Sequence, residues 1–242
     1  MACVWALLFE LMKTSVTQLI KMIREGEHQQ QDFKFCITDS RKIARSLVAF
    51  ANTDGGSLLI GVKDNGNIVG VQSDEEYYMV ESAARIYSNP PVPFVTKQWQ
   101  IDGKTVLQVI IESSNVKPHF AKDENGKWLA YIRYKDENRL AGKVMVDVWN
   151  KQKSKQGITL KVSDAERFLL QYLSQHDFIT VSSFARKASL PIREAEQLLA
   201  DFIVWDIVQP YFGENYVLYQ LNKNFDVEDW KEHRRVRNWQ KD

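Results

Sequence analysis

The chain is poor in the residues that build most metal and nucleophile sites. Its only cysteines, Cys3 and Cys36, fit no metal spacing and no disulfide framework, so they read as reduced thiols. The four histidines, His28, His119, His176 and His233, are scattered without ligand spacing. No serine stands in a nucleophile elbow. Gly56-x-x-x-x-Gly61 is followed by Val62 where a phosphate-cradling loop needs Lys, so ATP is not expected as a cofactor. There is no excess of charge of either sign: 32 Lys and Arg against 31 Asp and Glu leave a net charge of +1. No global field therefore draws the protein to nucleic acid or membrane, and any such binding has to come from local patches. The apolar stretch Ala2–Leu11 is too short to span a bilayer and lacks a basic flank and a cleavage site. Neither a membrane span nor a signal peptide is expected, and the expected location is the cytoplasm. Residues 1–13 read as an extension before a start at Met12, or as an extra element docked on the core.

What is present is organised around Arg45–Val71. Asp39 is placed to cap a helix in which Ile43, Leu47, Phe50 and Ala51 form one apolar stripe. Asn52-Thr53-Asp54-Gly55-Gly56 stops that helix, with glycines free to take positive φ. Ser57–Val62 follows as a buried strand, then a turn at Asp64-Asn65-Gly66-Asn67 and a return through Ile68–Val71, which predicts a hairpin. Before this unit lie a short helix ending at Gly26 and a strand over Gln30–Cys36, with Phe33 and Phe35 on one face and Asp32 and Lys34 on the other.

After it, Asp74 opens a helix that Asn89-Pro90-Pro91 ends. Strands Phe94–Ile101 and Lys104–Glu112 are joined by Asp102-Gly103, a two-residue hairpin signal. A loop over Ser113–Gly126, a strand over Trp128–Tyr134 and a closing helix at Val144–Trp149 complete the set. Helices and hairpins mixed in this order predict an α+β fold with a mixed sheet.

The polar, basic run Asn150–Gly157 reads as a linker, taken over 150–160. Beyond it, Ser163-x-x-Glu166 is a capping box, Thr180–Ala188 a second helix, and a third helix starts at Pro191. A hairpin over Ile207–Leu221 follows. Three helices and a hairpin over 161–222 predict a small winged helix-turn-helix domain, a motif that often binds DNA. Its third helix exposes Glu194, Glu196 and Asp201 against Arg193, a poor charge balance for the major groove, while the second offers Arg186 and Lys187. A dimerisation or protein-interaction module on the same fold accounts for these residues equally well. The tail over 223–242 gathers Lys231, Arg234, Arg235, Arg237 and Lys241 between Trp230 and Trp239, which suits either a nucleic-acid backbone or a terminal helix packing its tryptophans.

Three segments together carry a resemblance: Glu27-x-x-x-x-Asp32-Phe33-Lys34, then Ala49-Phe50-Ala51-Asn52-Thr53-Asp54-Gly55-Gly56, then Leu59-Ile60-Gly61-Val62-Lys63-Asp64. With Asn89-Pro90-Pro91, Ser113–Pro118 and Tyr131–Tyr134, they resemble the Schlafen-type AlbA domain over 14–149. The resemblance implies a nucleic-acid-binding protein, in bacteria commonly a DNA-binding transcriptional regulator with a winged helix behind. For binding it implies no cofactor, and it directs attention to Lys34, Arg41, Lys42, Arg45, Lys63 and Arg133, with Arg186 and Lys187 in the second domain. The animal members imply an alternative, a metal-dependent endoribonuclease. By motif position its three carboxylates would be Glu27, Asp32 and Asp64, holding Mg²⁺ or Mn²⁺ to activate a water. Asp32 stands where that pattern has Glu, which shortens the reach by one methylene. The remaining alternative is an adaptor that forms homodimers through its winged helix. No membrane partner is expected.

Overall fold

The computed structural model describes residues 16–71, 73–153, 163–213 and 216–226. The N-terminal extension, most of the linker, the tip of the last hairpin and the basic tail lie outside them. The described residues form two compact units that divide between Ala141 and Gly142.

The first unit begins with a helix, α1, over 16–25. Strand β1 (Gln31–Lys34), helix α2 (Ser40–Asn52), strand β2 (Gly56–Ile60) and helix α3 (Glu75–Arg85) follow. Then come β3 (Ser88–Asn89), β4 (Val95–Ile101), β5 (Lys104–Ile111), β6 (Phe120–Lys122), β7 (Trp128–Leu129), β8 (Tyr131–Tyr134) and β9 (Glu137–Leu140). The main sheet has the order β1-β2-β5-β4, with β1 parallel to β2 and the other pairs antiparallel. The fold is therefore α+β with a mixed sheet. Alternation along the strands separates two cores. Phe33, Leu59, Trp99 and Val106 pack with Leu19 of α1, whereas Leu58, Ile60, Leu107 and Val109 pack with α2 and α3.

Helix α2 is the centre of this unit. Asp39 caps it, its side chain accepting from the Arg41 N–H at 2.9 Å. From Ile43 to Asn52 it is buried on every side except at Arg45, a wider face than the predicted stripe. The reason is that β6 and β8 cover the side turned away from the sheet.

Five local expectations are corrected. The hairpin expected over 57–71 is a turn closed by one bridge, Val62 to Ile68, because β2 gives its hydrogen bonds to β1 and β5 instead. The Ser113–Gly126 loop contains β6, and the strand expected over 128–134 is two strands in separate sheets. Phe35 is exposed, since β1 ends at Lys34. The helix expected to close the first domain, α4 (Lys143–Lys153), belongs to the second unit: Val144 and Val148 lie in the second unit's core and α4 packs along α7. The boundary thus falls before this helix and not at 149/150.

The second unit continues with α5 (Asp164–Leu173), α6 (Val181–Lys187), α7 (Ile192–Val204) and the hairpin β10 (Val208–Phe212) and β11 (Val217–Leu221). The Ser163–Glu166 capping box is formed, and Thr180 caps α6. A bridge from Ile179 to Tyr219 ties the α5–α6 connection to the hairpin. One core of Leu169, Leu173, Phe184, Leu199, Phe202 and Tyr219 holds these elements together. No helix among the described residues is long and apolar enough to cross a membrane.

Candidate nucleic-acid interface

The predicted site residues divide into a buried group and a surface group. Asp32 is 3% exposed and faces α2. Its Oδ2 lies 3.0 Å from Lys34 Nζ, and its Oδ1 lies 3.5 Å from Arg133 Nη2. Arg133, on β8, is 2% exposed. It donates to the Gln31 carbonyl at 3.1 Å and to Asn138 Oδ1 at 3.1 Å, with its guanidinium 5.1 Å from the centre of the Phe50 ring. Arg133 was expected as a nucleic-acid contact, but its side chain is buried and bolts β8 to the β1 edge, with its Nε buried and without a hydrogen-bond partner.

Glu27 stands beside this group. Its Oε1 accepts from the Phe33 N–H at 2.8 Å. Partial burial, followed by a hydrogen bond to Asp32, pushes its carboxyl up to about 7. Asp64 does not join them: it is exposed in the turn over 63–67. Among the described residues, no three His, Cys, Asp or Glu side chains are placed to hold one metal ion. Asp32 already neutralises two cations, and Glu27 is drawn toward protonation. The Glu27–Asp32–Asp64 set therefore does not fit Mg²⁺ or Mn²⁺ in this arrangement.

The Asn52–Gly56 signature also resolves into structure. Asn52, 3% exposed, donates to the His119 and Tyr131 carbonyls at 2.9 Å each and accepts from the His119 N–H at 2.8 Å. The Thr53 hydroxyl accepts from the Arg133 N–H at 2.9 Å, and the Thr53 carbonyl from Lys117 Nζ at 3.0 Å. Gly55 has φ +74°, and a Cβ there would lie 2.7 Å from the Ile111 carbonyl oxygen; one on Gly56 would lie 2.5 Å from the Phe50 ring. The motif joins the helix end to the Lys117–His119 segment and to β8, and its two glycines stand where a side chain has no room.

The surface group is different. Arg41, Lys42 and Arg45 line the solvent side of the first turns of α2. Arg41 Nε bonds Asp39 at 3.1 Å. Arg45 Nη2 reaches Glu124 Oε1 at 3.7 Å, on the turn between β6 and β7. That contact brings in residues the sequence reading passed over: Lys122, Lys127 and Trp128. Lys122 pairs across the ladder with Trp128, its Nζ 5.8 Å from the indole centre. Trp128 is 39% exposed. Their sequence signal was two lysines at and just after a predicted loop, followed by an aromatic opening the next predicted strand. Lys34 is drawn inward by Asp32 and by the Phe33 carbonyl at 2.7 Å, so it is a weak surface base. Lys63 is exposed, 5.4 Å over Phe35.

In the second unit, Arg186 and Lys187 are exposed at the end of α6. On α7, Arg193 is held by Asp147 of α4 at 2.5 Å, and Asp201 by Lys151 at 2.5 Å. The single base that α7 offered a groove is committed to α4.

A mixed-sheet domain whose helix stop is locked at Asn52–Gly56, with a basic helix face beside an aromatic hairpin, is an α+β domain with a surface suited to polyanions. Residues 27–142 match the family described as Schlafen, AlbA_2, so the first unit carries a domain of that family. The match points to a nucleic-acid-related function. No curated protein matches the chain. Among solved structures, the DIP2311 protein of Corynebacterium diphtheriae is similar, at 17% identity over 79% of this chain and 37% of its own, with a TM-score of 0.43. The N-terminal domain of a RecG-related protein from Nitrosomonas europaea is similar at 22% identity, over 61% of this chain and 95% of that domain, with a TM-score of 0.37. The chain thus spans little more than a third of the first of these proteins.

Proposed function

We propose that the protein binds nucleic acid through the α2 and β6–β7 face of its first unit, and that it acts as a regulator and not as a nuclease. The observation that carries this is the reach of Arg45, on the helix face with Arg41 and Lys42, to Glu124 in the hairpin that carries Lys122, Lys127 and the exposed Trp128. Guanidinium and ammonium groups around an exposed indole serve both parts of a nucleic acid, phosphate and base. Against cleavage stands the carboxylate set, spent on Arg133 and Lys34 and short of its third member.

The second unit we read as a winged helix, from its three helices, its hairpin and the bridge between Ile179 and Tyr219. In a DNA-binding transcriptional regulator, duplex contact by this unit would fall to Arg186 and Lys187. Such contacts hold phosphates and specify no sequence. The test is to titrate labelled duplex DNA, single-stranded DNA and tRNA with the full chain, with Mn²⁺ and with EDTA. Binding that weakens steeply with salt, with intact substrate recovered in both conditions, is the expected result. Cleavage that needs Mn²⁺ and is lost in Asp64→Ala overturns it in favour of the ribonuclease.

A further inference from the structure

We propose that the β6–β7 hairpin is a stacking site for an unpaired base, so that the strand taken by the first unit is single-stranded nucleic acid. This rests on the nucleic-acid reading above and names its substrate class.

The register of the hairpin decides which way the indole points. Ala121 pairs with Leu129, and both turn inward, Ala121 buried in the main core and Leu129 packed against it. Their neighbours Lys122 and Trp128 are paired as well and must therefore point to the opposite face. The turn between them is held from within. Asp123 Oδ1 accepts from the Asn125 N–H at 2.9 Å and the Lys127 N–H at 2.7 Å, and the Asp123 N–H donates to the Lys127 carbonyl at 2.9 Å. The Lys122 N–H donates to the Tyr87 carbonyl at 2.9 Å, which ties the hairpin to the chain after α3. Trp128 is thus a large apolar ring presented on a fixed mount whose surrounding side chains are polar.

The charges around it favour a polyanion. Arg41, Lys42 and Arg45 on α2 and Lys122 and Lys127 on the hairpin face Asp39, Asp123 and Glu124. Asp39 is engaged by the α2 cap and Asp123 by the turn, so Glu124 is the acid that competes with a phosphate for Arg45. Inside a duplex every base face is already covered, and a lone indole reaches one only by wedging base pairs apart. An unpaired base presents its face without that cost, and an indole stacks on any of the four. Ring plus flanking cations is a better match to a flexible strand than to a rigid duplex.

The full chain is titrated by fluorescence anisotropy with labelled oligothymidylate, oligouridylate and a DNA duplex of equal length. Both single strands are expected to bind more tightly than the duplex. Trp128→Ala is expected to weaken single-strand binding by about tenfold, leaving duplex binding and the melting temperature unchanged. Trp128→Tyr should keep most of the affinity, and Glu124→Gln should tighten binding of all three probes by releasing Arg45. If single strands bind and Trp128→Ala matches wild type, the stacking site falls while the nucleic-acid reading stands. If the duplex binds best, the substrate class is wrong. If no probe binds, both readings fail.

Discussion

Asn52 shows how a family signature becomes legible only through its contacts. Three buried backbone groups on two other segments depend on its amide. Asn52→Ala is expected to cost about 3 kcal/mol, as several buried polar groups lose their partners together; urea unfolding measures it. Arg133 is the residue where a surface role was expected and a core role was found. A basic residue on a short strand reads as exposed because lone charges avoid the interior, but here Asp32 lies on the facing strand and neutralises it. Arg133→Ala should destabilise the first unit by about 3 kcal/mol, since it removes one of the two cations on a buried carboxylate together with the bonds to Gln31 and Asn138. It should leave the affinity of the folded protein for single strands unchanged. Glu27 supplies a pH test. Its carboxyl is held at about 7 in the folded chain against 4.5 when free. Between those values the folded chain keeps a proton the unfolded chain has lost, so stability falls as pH rises through this window and levels off above 7. Glu27→Gln should remove that slope, gaining stability relative to wild type at alkaline pH and little near the lower end. Thermal melts across the window decide it.

At the scale of elements, helix starts and stops were the most readable features. Asp39 and the Ser163–Glu166 box cap helices as the sequence pattern predicts, because capping is settled within a few residues, whereas Asp74 stands at the start of α3 without a side-chain cap bond. Strand partners were less readable. β2 takes partners from far along the chain on both sides, which no local turn signal reveals, and the expected hairpin over 57–71 gave way to them. Helix α4 was recognised as a helix and assigned to the wrong neighbour. Its stripe of Val144 and Val148 specifies that something covers it, not what. Replacing both by Ala should lower the stability of the second unit by about 3 kcal/mol, from lost burial and the cavities left behind. Hydrogen exchange should quicken along α7 and stay unchanged in β2 and β5.

For the molecule as a whole, a net charge of +1 leaves binding to local patches. If the first unit presents about four unspent bases to a single strand, the logarithm of affinity should fall with the logarithm of salt at a slope of about −3. Substituting Arg186 and Lys187 by Ala leaves that slope unchanged if the second unit takes no part, and reduces it by about 1 to 2 if α6 also holds phosphates. Measuring affinity across a salt series for the two proteins therefore reports whether both units share one ligand.

The sequence by itself determined what depends on neighbours in the chain: the capped helices, the glycine stop, the α+β class and the motifs that place the first unit in its family. Those signals are local, so each is complete within a few residues. Tertiary structure alone decided which charges are buried and which meet. Asp32 found Arg133 across about a hundred residues and lost its fitness for a metal, while Arg45 found Glu124 in the turn of the hairpin that carries Trp128. Both outcomes follow from strand pairing between distant segments, where burial and desolvation fix what a charge can do. The Asn52–Gly56 stop that identifies the unit is its structural hub. The surface most suited to a ligand lies on the far side of the helix it ends.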